Sequence, residues 1–172
     1  MADYFEPTII QQSIPDADMT PLERLLLSNI FQAEPDGDGW YFFSEQGPAT
    51  MIAISRTELE IALVASQSVS SEANAYVADR LAPLPSDQVE VDLDLSGTSW
   101  EFLFQDIVRR STRLRYVTAV TSFTCSKMRP DGFGGMAVLI TSDAIVGKST
   151  NDIFEDFLAE AGLDGEDTAP SA

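Results

Sequence analysis

The chain has 172 residues, with 28 acids against 10 bases, a net charge of −18, one cysteine and no histidine. Without imidazole there is no Ser-His-Asp or Cys-His nucleophile and no His-bearing zinc or iron site, and one cysteine makes neither an internal disulfide nor a Cys₄ centre. So negative a field repels nucleic acid and anionic membrane and attracts basic protein surfaces.

The charge is unevenly spread. Residues 1–108 hold 19 acids and 3 bases, residues 109–130 hold 6 bases and no acid, and residues 131–172 hold 9 acids and 1 base. The length is that of one ordinary domain, large enough to bury a core unaided. The opening "MADYFEPTII" lacks a basic flank followed by an apolar segment, so no signal peptide is expected. No apolar run approaches the roughly 20 residues of a bilayer span, and a cytoplasmic location is the default expectation.

In chain order, residues 1–17 read as an extended arm. Thr20-Pro21-Leu22-Glu23 forms a capping box with proline at the first helical position, followed by the stripe Leu22, Leu25, Leu26, Ile30. "PDGDGW" then resembles the start of a calcium loop. Trp40 and Gly47 stand where ligands belong, so a turn leading into a strand is the expectation. "GWYFFSE" and "ATMIAIS" flank "QGP" and predict a hairpin. Thr57 and Glu60 predict a second capping box, opening a pair of short helices near 58–66 and 71–81 that close at "LAPLPSD".

"VEVDLDL" alternates with period two. Glu90, Asp92 and Asp94 should share one face about 6.8 Å apart, while Val89, Val91, Leu93 and Leu95 face the core. Three such carboxylates repel one another unless solvent or a cation intervenes. The row reads first as a solvated outer strand face, next as a partner-binding mimic of nucleic-acid phosphates and last as a carboxylate metal site; it is the candidate partner-binding face, and no metal or other cofactor is called for. Thr98 with Glu101 predicts the next capping box, and Trp100, Leu103, Phe104 and Ile107 form a stripe ending in Arg109 and Arg110, where cations suit the helix dipole.

"RYVTAVTSFTC" predicts a central strand with Cys125 as a small buried hydrophobe, and "GMAVLIT" returns antiparallel to it across "SKMRPDGFGG". Arg113 and Arg115 enter that strand and form a possible anion patch; Lys127 and Arg129 leave it. In the loop, Phe133 among glycines is either an exposed anchor or a lid on the core, and Lys127, Arg129 and Phe133 make a second contact surface.

"MAVLITSDAIVGKSTNDIFEDFL" has the outline of a phosphate-binding loop. That loop needs a glycine where Ser142 stands, so Gly147 and Lys148 read as the end of a loop and Ser149 with Asp152 as a capping box. The helix it opens carries Ile153, Phe154, Phe157, Leu158 and Ala161 on one stripe and ends at Gly162. Residues 163–172 are expected to be an acidic disordered tail.

The order αββααβαββα predicts one α+β domain over 18–162, with an antiparallel or mixed sheet of about five strands and helices mainly on one face. Residues 39–53, "GWYFFSEQGPATMIA", resemble the Gly-Tyr-Trp-x-Phe-Tyr hairpin of plasmid antirestriction proteins, a small acidic family. That resemblance implies a phage or plasmid accessory protein of antirestriction or anti-defence type, and assigns no residue roles. The functional expectation is a non-enzymatic binding or regulatory protein that engages a basic protein surface, without direct nucleic-acid or membrane binding. The alternatives are a small enzyme built on carboxylates such as Asp92 and Asp94 with Lys148, and a domain acidic only for solubility.

Overall fold

Residues 2–97 and 99–163 are described in the computed structural model of the chain. The extended arm holds three strands, β1 (Tyr4–Phe5), β2 (Thr8–Ile10) and β3 (Ile14–Pro15), before a 3-10 turn and helix α1 (Pro21–Ile30). There follow β4 (Gln32–Asp36), β5 (Gly39–Ser44), β6 (Met51–Ser55), α2 (Arg56–Ser66), α3 (Glu72–Leu81) and β7 (Glu90–Asp94). The last third is α4 (Trp100–Arg110), β8 (Tyr116–Cys125), β9 (Gly134–Thr141), β10 (Ile145–Ser149) and α5 (Thr150–Glu160).

The α+β expectation holds, with a larger sheet than expected. Among the described residues, eight strands join in the order β10-β9-β8-β2-β5-β3, with β1 added on β8 and β4 on β5, while β6 and β7 form a separate pair. All the recorded pairings are antiparallel. Helices α1 and α4 pack on one face of the main sheet, against β4, β8 and β9. Ile10, Phe42, Val117, Ala119, Val138 and Ile140 are buried on that side, while Ile9, Val120, Leu139 and Val146 on the reverse are exposed.

The arm is extended but is not peripheral. Strand β2 lies between β8 and β5, with Ile9 opposite Val120 on one side and Phe43 on the other. Three residues are too few to give an alternation signal. Thr8 is buried, and its hydroxyl lies 2.9 Å from that of Thr121.

The hairpin expected across "QGP" does not form. Strand β5 turns back on β4 instead, through Gly37 and Asp38, and β6 leaves to pair with β7. The "PDGDGW" segment supplies that turn, with Gly37 at φ 61 as the first central residue, as a type II′ turn requires. Glycine at 39 meets a different need, because a Cβ there would overlap the Ile14 carbonyl oxygen and stand 2.9 Å from its carbon. Gly39→Ala must therefore push β3 away from β5. We expect a loss of about 1–3 kcal/mol by urea denaturation, and an unchanged midpoint would refute the close approach.

Two of the expected capping boxes form as read. Thr20 and Glu23 cap α1, and Ser149 and Asp152 cap α5. The Thr57–Glu60 box is corrected: β6 runs straight into α2, so the helix begins at Arg56 and Thr57 already lies inside it. Glu60 instead accepts from the Arg56 guanidinium at 2.7 Å. Thr98 lies outside the described residues; the N-cap of α4 is Ser99. A cap not foreseen is Ser71 on α3, where the Asp106 carboxylate also accepts the Glu72 amide at 2.7 Å.

The core is centred on four rings. Phe31, Phe42, Trp100 and Phe104 meet edge-to-face or tilted, with centroids 5.4–6.3 Å apart, tying the end of α1 to β5 and α4. Cys125 is buried, as expected. Gly147 and Lys148, expected in a loop, belong to edge strand β10. Most of the expected acidic tail, residues 164–172, lies outside the described residues.

Candidate functional site

Strand β7 follows its sequence pattern. Val91 and Leu93 are buried against the core, while Glu90, Asp92 and Asp94 are exposed on the opposite face. Their cross-strand neighbours on β6 are Ser55, Ala53 and Met51, all uncharged. Among the described residues, none of the three acids enters an ion pair. Asp94 is held below the ordinary carboxylate range by the Ser96 hydroxyl at 2.6 Å and the Ser96 amide at 3.0 Å. The expected inward side differs at one end, since Val89 precedes the strand and is 79% exposed.

The basic island is divided by structural duties. Arg109 donates to the Ser142 carbonyl at 2.8 Å, to Gln105 at 2.8 Å and to Asp106 at 3.2 Å. Arg110 reaches the buried Glu23 at 2.6 Å. Arg113 grips Asp38 through both terminal nitrogens, at 2.6 and 3.3 Å, and this holds the Asp38 carboxyl below its usual range. Arg113 and Arg115 therefore do not form a shared anion patch: one is neutralised, and the other is an exposed cation without an ion pair among the described residues. Lys127 and Arg129 are exposed at the far end of β8, about 30 Å away at the rise of an extended strand.

Phe133 is half-exposed. With Tyr4, Phe5, Phe123 and Pro130 it borders a cleft of about 360 Å³, so it forms a wall there and not a lid on the core. Tyr4 and Phe5 escaped sequence reasoning because only the β1–β8 pairing brings the arm to this loop. Exposed Met128 stands beside Lys127 and Arg129.

The sites considered on motif grounds are dispersed. Asp36 and Asp38 bracket the β4–β5 turn, and Asp38 belongs to Arg113. Lys148 lies on β10 in the main sheet and pairs with Asp156 of α5, away from Asp92 and Asp94 on the two-stranded pair. Among the described residues, no three or more Cys, Asp or Glu side chains gather as a metal-binding group. Among the described residues, no helix is long and apolar enough to cross a membrane.

No protein-family model matches the chain, and no curated protein or solved structure matches it. The resembling stretch 39–53 is also divided in the fold, its two strands lying in different sheets.

A feature that the helical period did not separate from core is the stripe on α5. Ile153, Phe154, Phe157 and Leu158 are 38%, 63%, 56% and 46% exposed, and none of the helix is buried. Periodicity marks an apolar face, but does not say whether the protein itself supplies the covering layer.

Proposed function

We propose that this chain is a non-catalytic binding or regulatory protein whose β7 face receives a basic surface of a partner protein. The supporting observation is the row Glu90, Asp92 and Asp94, which faces solvent beside uncharged cross-strand neighbours and enters no ion pair among the described residues, Arg80 being the one base near enough to help lower the Asp94 carboxyl. Among the described residues, six of the ten bases are engaged in internal ion pairs, which leaves the acids in large excess. Like charges held on a rigid strand are costly alone and favourable against a cationic partner. Such a contact forms quickly through long-range attraction and weakens as salt screens it.

The defining experiment is a titration with a short Lys/Arg-rich peptide at low salt. Glu90→Gln/Asp92→Asn/Asp94→Asn should weaken binding about tenfold or more, roughly 1.4 kcal/mol. A control of equal net charge, Glu45→Gln/Asp79→Asn/Glu155→Gln, should weaken it far less. Equal losses would mean that acidity acts only in bulk, as a solubility device. The carboxylate spacing of about 6.8 Å along the strand supports a finer version, in which the partner's basic surface is one that otherwise binds nucleic acid. Duplex DNA would then displace such a partner from the wild-type protein, and failure to compete would remove that version alone.

A further inference from the structure

The main sheet ends at β10, and among the described residues no strand covers its outer edge. Open edges invite pairing with another chain, and proteins usually guard them with proline, bulges or outward lysines. Strand β10 is five residues long and has no proline. Its one lysine, Lys148, is turned aside to Asp156 of α5. Helix α5 touches both β9 and β10, but none of its residues is buried, so it covers little of either strand.

Beside that edge lies unfilled apolar surface. On α5, Ile153, Phe154, Phe157 and Leu158 stay largely exposed, with the two phenylalanine rings meeting edge-to-face at 6.4 Å. On β10, Val146 is 59% exposed and Leu163 just beyond α5 is 55% exposed. The helical period places Asp152, Glu155 and Asp156 on the other half of α5, and Glu160 at the border of the stripe beside Ile153. At ordinary side-chain areas the exposed parts of these six residues come to roughly 550 Å², about the apolar two-thirds of a standard half-interface of roughly 800 Å².

We propose that β10 and α5 form the interface of a twofold homodimer. Antiparallel strands related by a twofold axis pair edge to edge, and each copy brings the same stripe to the same seam, as an isologous interface requires. Residues 164–172, "DGEDTAPSA", offer no large apolar side chain to this surface. A basic partner is disfavoured, because three of the four acids of α5 lie off the stripe and only Glu160 borders it. The inference is independent of the β7 face and has the opposite salt dependence. Two bodies of net charge −18 repel, so screening must strengthen their association.

Sedimentation equilibrium on the full chain tests this. The expected result is a dimer at tens of micromolar that tightens several-fold between about 0.05 M and about 0.5 M NaCl. Phe154→Asp/Phe157→Asp should be monomeric throughout with an unchanged far-UV circular dichroism spectrum, since neither ring is buried. A wild-type monomer at about ten times that concentration would overturn the proposal. So would a dimer that survives the double substitution, or one that salt dissociates.

Discussion

Arg110→Ala is expected to cost about 3–5 kcal/mol of folding stability, the largest effect of any exchange of a charged residue in this protein. Glu23 is 0% exposed and sits at the first turn of α1. One carboxylate oxygen accepts the Thr20 amide at 2.9 Å and the Arg110 guanidinium at 2.6 Å; the other meets no donor among the described residues. Removing the arginine leaves a buried charge with a single neutral donor. Glu23→Gln removes the charge and keeps an acceptor for Thr20, so it should lie within about 1.5 kcal/mol of the wild type. If the two substitutions cost the same, the charge on Glu23 is not what Arg110 compensates.

The pH dependence gives a second reading of the same pair. Burial pushes the Glu23 carboxyl above its ordinary value, against the lowering pull of the Thr20 amide and Arg110. The folded state therefore holds this proton at a pH where the unfolded chain has lost it. Glu23 weakens the fold as pH rises through that window and strengthens it as pH falls. Loss of Arg110 removes one lowering influence and extends the window upward, so Arg110→Ala should regain stability as pH falls from neutrality towards the ordinary glutamate range. The recovery must end in more acid solution. Asp16 and Asp38 are held below the usual aspartate value by Arg24 and Arg113, and their contributions vanish as pH falls through their lowered range. Urea midpoints measured across pH would show the recovery; a steady decline of the variant on acidification would exclude it.

Phe104→Ala is the second large effect, at about 3–5 kcal/mol. The ring is fully buried and touches three other aromatic residues: Phe31 at 6.1 Å, Phe42 at 6.0 Å and Trp100 at 5.9 Å. Its loss opens a cavity where α1, β5 and α4 meet, and rigid aromatic neighbours collapse poorly into it. Phe104→Leu should recover more than half of the loss, because the transfer of apolar surface is largely restored. A loss below about 1 kcal/mol for alanine would mean that the three elements are not joined there. Tryptophan fluorescence of Trp100 should report the same transition, as the neighbouring ring of Phe104 changes its surroundings.

The residues that could be read well share one property: their signal is local. The Thr20 and Ser149 caps depend on neighbours three positions away, and the alternation of β7 is complete within five residues, so the exposed acid row was legible before any fold was known. The β8–β9 hairpin was legible because both strands are long and nearly continuous in sequence. What failed was partner choice. Strand β4, "QAEPD", carries no strand pattern of its own, and the tight turn at Gly37 paired it with β5 in place of β6. The arm carried no signal because its strands are two or three residues long and gain identity only from the strands beside them. Arg113 looked like part of a free cationic patch because its partner, Asp38, lies 75 positions away. The aromatic cleft at Phe133 was hidden for the same reason.

The placement of β2 has a consequence for how the molecule assembles. Thr8 is joined to Thr121 across 113 positions, so one edge of this strand waits unpaired until β8 has emerged from the ribosome. Closing so long a loop is entropically costly before any contact repays it, and such topologies reach the native state slowly. Until then β2 can pair only with β5, and its other edge stands open as an empty berth. That interval, and not the finished protein, is when this polypeptide is most exposed to mispairing and most dependent on holding chaperones.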